Sequence, residues 1–114
     1  MMTPAMPLAA MAAPLMALRI FENRYRHLPA PCVSISTVYP TLLELSFYDD
    51  ADAFEVWCQA LGIPLGTVRH SVHGDGLTHV MKVETNFSGG PVKLINFTTI
   101  STPEEERSRA GAVS

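Results

Sequence analysis

Residues 42–63, LLELSFYDDADAFEVWCQALGI, constrain the fold more than any other stretch of this chain. Leu43, Leu45 and Phe47 alternate with Glu44, Ser46 and Tyr48. Side chains along a strand point to opposite faces in turn, so this segment is a strand with one apolar and one mixed face. Asp49, Asp50 and Asp52 follow at a boundary. Carboxylates there accept hydrogen bonds from the free N–H groups of a helix's first turn and suit its positive end. Asp52 and Glu55 have capping-box spacing, with Asp in place of Ser or Thr. Phe54, Trp57, Cys58 and Leu61 then recur at helical steps, and Gly62 and Pro64 end the run. A metal or catalytic carboxylate site is the functional alternative for the acidic cluster. Helix capping accounts for its position and spacing with no further assumption.

A strand entering a helix needs neighbours to bury both apolar faces. Upstream, Leu15, Leu18, Phe21, Tyr25 and Leu28 give a helix over residues 14–28, with Pro14 in its first turn and Pro29 after it. Arg19, Arg24 and Arg26 lie on its polar side. They are candidate contacts for phosphate or an acidic partner, set against an ordinary solvated face. Residues 32–38, CVSISTV, read as a strand that Tyr39, Pro40 and Thr41 turn back into the central one. Ser34 and Ser36 lack the context of an activated nucleophile.

Downstream, residues 67–73 and 77–87 form a hairpin about Gly74, Asp75 and Gly76. A turn at Gly74 and Asp75, or at Asp75 and Gly76, puts Val68, His70, Val72, Leu77, His79, Met81 and Val83 on one face. The first of these turns would oppose His70 and His79 directly. Paired imidazoles can hold a metal, with Cys58 or Asp49 as further ligands and Tyr48 or Asp49 in support of acid–base work. No HxH, HExxH or CxxC spacing accompanies them. His70 and His79 are the candidate ligand or metal residues, and no cofactor is expected from the sequence.

Ser88, Gly89 and Gly90 turn the chain into a last strand over residues 91–100. Val92, Leu94 and Ile100 lie on one face, Ile95 and Phe97 on the other. A strand apolar on both sides is usually covered on both sides. Two helices on one face of a sheet leave the other open. Val92, Leu94, Ile95 and Phe97 are therefore candidate interface residues, and a second copy of the chain is the expected partner.

With 114 residues the chain makes one domain over residues 14–101. Residues 1–13, rich in Met, Ala and Pro, read as a disordered leader, or as an apolar arm that docks on a partner subunit; the leader lacks the marks of a secretory signal or a membrane span. Residues 102–114 read as a polar tail. A formal charge of −3 argues against a general nucleic-acid binder. Cys32 and Cys58 make no disulfide framework and suit reduced thiols in a cytoplasmic protein.

Two segments, LPAPCVSISTVYP and LELSFYDDADAFEVWCQALGI, resemble small uncharacterised proteins of actinobacteria such as streptomycetes. The resemblance implies a bacterial cytoplasm. It implies no activity and no functional residues.

The element order α-β-β-α-β-β-β implies an α+β two-layer sandwich, with an antiparallel sheet of about five strands and two helices. The expected function is binding or regulation through protein–protein association, as a homodimer and without catalysis. A small ligand- or metal-binding protein or enzyme using His70 and His79 is the alternative. A nucleic-acid-associated factor using the three arginines is a further one.

Overall fold

The computed structural model describes residues 6–74 and 76–100. Two helices, α1 (Ala12–Arg24) and α2 (Ala51–Ala60), pack on a five-stranded sheet of β1 (Cys32–Ser34), β2 (Leu43–Tyr48), β3 (Arg69–Val72), β4 (Thr78–Phe87) and β5 (Gly90–Thr99). The α+β class and the order of elements are those expected. The sheet order is β1-β2-β5-β4-β3. All neighbours are antiparallel except β2 and β5, which run parallel. That parallel pair follows from the route of the chain. It leaves β2 through α2, passes the β3–β4 hairpin, and returns beside β2. Leu8–Met11, read from the sequence as part of a leader, forms a 3-10 turn leading into α1, and residues 1–5 of that leader lie outside the described residues. The expected tail over residues 102–114 lies outside the described residues.

Register puts Leu43, Leu45, Val92, Leu94 and Val83 on one face of the sheet. The helices lie on that face, contributing Ala17 and Phe21 from α1 and Ala53, Phe54, Trp57 and Cys58 from α2 to a single core. Leu15, expected inward, is exposed, and Ala17 takes the buried position instead. The aromatic ring of Trp57 meets Phe21 edge-on at 5.5 Å, and its Nε1 donates to the Pro29 carbonyl at 2.7 Å. The Tyr25 hydroxyl donates to the Ala60 carbonyl, so the segment after α1 is tied to the end of α2. Gly90 lets α1 approach the sheet: a Cβ there would stand 3.1 Å from the Ala13 Cβ and 3.3 Å from the Thr41 carbonyl oxygen.

The acidic cluster holds α2 and β5 in place. Asp50, rather than Asp52, is the N-cap, its Oδ1 accepting from the Ala53 N–H at 3.1 Å. Asp52 sits in the first turn, where its charge favours the helix dipole. Asp49 has φ 53° and accepts from the Thr99 N–H at 2.8 Å. At the other end of α2, Gly62 at φ 71° donates to Gln59, and Ile63 donates to Cys58 at 2.8 Å. These are the two bonds of a Schellman stop.

Candidate functional site: an aromatic row on the open face and a paired histidine

The second face of the sheet has no helix or strand over it among the described residues. Its composition follows from the register. Tyr48 pairs with Phe97 across β2 and β5, and Phe97 with Val80 across β5 and β4. The Tyr48 and Phe97 rings stack with centroids 5.3 Å apart and planes 14° off parallel. His73 extends the row, its ring stacked on Phe97 at 6.0 Å. The next row runs Ser46, Ile95, Lys82 and Arg69, and the one beyond it Glu44, Lys93 and Glu84. An aromatic line is thus bordered by charge.

Not all the candidate interface residues lie here. Val92 and Leu94 are 1% and 0% exposed on the helix-covered face, so they build the core and no interface. They alternate with Ile95 and Phe97, as the two-sided pattern requires. Ile95 faces outward but is only 7% exposed. Tyr48, at 60% exposed, carries more of the accessible apolar surface than any of the four. Only its place beside Phe97 reveals it, and that depends on the parallel pairing.

His70 and His79 share the helix-side face at the far end of the β3–β4 hairpin. His70 pairs with Met81 and Val72 with His79, the register expected for a turn at Asp75 and Gly76. The two imidazoles are therefore diagonal, not directly opposed. Their rings still meet, with His70 Nδ1 3.2 Å from His79 Nε2 and planes 15° apart. A hydrogen bond between the two ring nitrogens, its direction set by the tautomers, accounts for this contact. It is also close to the spacing of two nitrogens on one tetrahedral ion, which at about 2.0–2.1 Å from the metal stand roughly 3.3 Å apart. Neither proposed extra ligand joins them. Cys58 lies in the core, and Asp49 is engaged with Thr99. No group of three or more His, Cys, Asp or Glu is arranged to hold a metal among the described residues.

Burial, with a smaller contribution from Glu55, pushes the Cys58 thiol up from 9.0 to about 11. It stays protonated at neutral pH and is a poor nucleophile. Cys32 is exposed at the sheet edge and forms no disulfide. Arg19, Arg24 and Arg26 are all exposed on or just after α1. Arg26 alone borders a cleft of about 400 Å³, whose walls are mainly Phe21, Tyr25, Leu28, Val33 and Trp57. The arginines converge on no phosphate-shaped site. No helix among the described residues is long and apolar enough to cross a membrane.

Compared with known family models, characterised proteins and solved structures, the chain matches none.

Proposed function

We propose that the protein is a non-catalytic binding or regulatory module of a bacterial cytoplasm, acting through protein–protein association as a homodimer. The observation that carries this reading is the stacked Tyr48–Phe97 pair on an open sheet face. A flat aromatic surface bordered by Lys82, Lys93, Glu44 and Glu84 has the make-up of an association patch, apolar at its centre and charged at its rim. A two-fold pairing of identical patches needs no second gene product and stacks sheet on sheet, a stable layer arrangement. Asp49 and Asp50, which follow Tyr48 in the chain, are committed to holding β5 and α2, which favours a structural over a catalytic role for them. Sedimentation equilibrium at micromolar concentration tests the reading. A monomer–dimer equilibrium is expected, and a monomer throughout would overturn it.

The 3.2 Å contact between His70 and His79 favours a second reading, a two-nitrogen site for a transition metal such as zinc. Calorimetric titration with zinc separates the two. Saturable binding that His79→Ala abolishes supports the metal site, and unchanged heats in the variant remove it.

A further inference from the structure

The sheet has a second unfilled position, at an edge rather than on a face. β4 is ten residues long, but β3 covers only part of it, pairing from Arg69 with Lys82 to Val72 with His79. Before Arg69 the chain turns away into a 3-10 turn, Leu65–Thr67, which the Thr67 hydroxyl fixes by donating to the Pro64 carbonyl. The hydrogen-bond phase of β4 then identifies which backbone groups are left bare. Ser88 and Gly89, at φ 52° and 84°, make the two-residue turn that Phe87 and Gly90 close. Antiparallel bonding alternates along a strand, so Phe87, Thr85 and Val83 direct their N–H and C=O groups to β5. Glu84 and Asn86 direct theirs the other way, toward the missing length of β3. The bond from the His73 N–H to the Thr78 carbonyl fixes the same phase at the far end.

That bare edge forms one wall of a cleft of about 470 Å³, and the loop through Gly62, Ile63, Pro64 and Thr67 forms the other. At the end of the cleft nearest β3 stand Arg69 and Lys82, two cations directly opposed across the strands. Neither has an ion pair or side-chain hydrogen bond among the described residues. Like charges in that position repel and cost stability until an anion joins them. Glu84 also lines the cleft, so the local balance is one positive charge.

We propose that this cleft takes the C-terminal end of an extended peptide from another protein, added as a strand to β4. Running in line with β3, the peptide pairs with Glu84 and Asn86 through its backbone. Its terminal carboxylate then ends beside Arg69 and Lys82, where a peptide of the opposite sense would bring its N-terminal ammonium, which the two cations repel. Main-chain pairing supplies affinity with little sequence preference, and the two cations select the free carboxylate. The site is distinct from the aromatic pair, because Tyr48 and Phe97 lie on strands two and one removed from this edge, but it shares Lys82 and Glu84 with the charged border of the open face.

The test uses the full chain, ¹⁵N-labelled, and N-acetylated pentapeptides of β-branched residues with either a free or an amidated C-terminus. The free-acid peptides are expected to shift the Glu84 and Asn86 amide signals and slow their hydrogen exchange at least tenfold. Amidation, or the double variant R69A/K82A, is expected to weaken binding at least tenfold. Asn86→Pro removes one outward N–H without touching the β5 ladder and is expected to abolish binding while the thermal melt is retained. Equal binding of acid and amide would overturn the carboxylate assignment. No shift at millimolar peptide, shifts confined to other residues, or protection of Glu84 and Asn86 that grows with protein concentration alone would overturn the proposal. The last result would assign the edge to a second copy.

Discussion

The Tyr48 ring lies nearly parallel to the Phe97 ring across the parallel strand pair β2–β5, with centroids 5.3 Å apart. The two residues are separated by the whole of α2 and the β3–β4 hairpin in the chain. Their contact exists because β5 returns to the side of β2, and it sets the most accessible apolar surface of the open face.

Replacing Phe97 with Lys puts a charge at the centre of that surface while leaving the helix-side core alone. If the open face self-associates, the dimer should weaken at least tenfold, or about 1.4 kcal/mol. The monomer should lose only about 1 kcal/mol, since Phe97 is half-buried. Sedimentation and chemical denaturation measure the two effects separately.

Asp50→Ala should cost about 1 kcal/mol of unfolding free energy, because the Ala53 N–H loses its acceptor at the start of α2. Asp52→Ala should cost less, a few tenths of a kcal/mol, since Asp52 acts only through the helix dipole. Urea denaturation of both variants checks the order. A larger loss for Asp52→Ala would contradict the capping assignment.

Trp57→Ala should destabilise by roughly 3–5 kcal/mol, combining a cavity beside Phe21 with loss of the Nε1 bond to Pro29. Trp57→Phe keeps most of the packing and loses the bond, leaving the Pro29 carbonyl without that donor. It should cost roughly 1–2 kcal/mol by the same denaturation assay.

Cys58 gives a pH signature. Folded, its thiol keeps its proton to about 11, whereas the unfolded thiol releases it near 9.0. Between these values the unfolded state binds fewer protons, so stability falls as pH rises and levels off above about 11. The slope attributable to this group is at most about 1.4 kcal/mol per pH unit. The difference in stability between the wild type and Cys58→Ala, followed from pH 8 upward, should narrow across that window. Cys32, exposed, should react with a thiol reagent in the native protein far faster than Cys58.

Much of the fold is legible in the residues. The alternation in residues 43–48, the stripe through Phe54, Trp57 and Cys58, and the Gly62 stop each encode a local conformation, and each element forms where expected. Strand neighbours are another matter. Alternation says which residues share a face but not which strand lies alongside, so the β2–β5 pairing and the exposed Tyr48 could not be read. Strand lengths also shifted where side chains compete for the backbone. Ser36 accepts from the Val38 N–H at 3.0 Å, and β1 ends at Ser34 instead of Val38. Thr67 does the same work before β3. That shortening leaves the β4 edge bare, a feature with no residue signature of its own.

Solvent paramagnetic relaxation, read at the Tyr48 and Phe97 ring protons in dilute and concentrated samples, addresses the open face most directly. Both rings should be strongly relaxed in the low micromolar range and protected at hundreds of micromolar, while Tyr39, exposed in the β1–β2 loop, stays relaxed throughout. Equal relaxation of Tyr48 and Phe97 at both concentrations would contradict the assignment of this face to association.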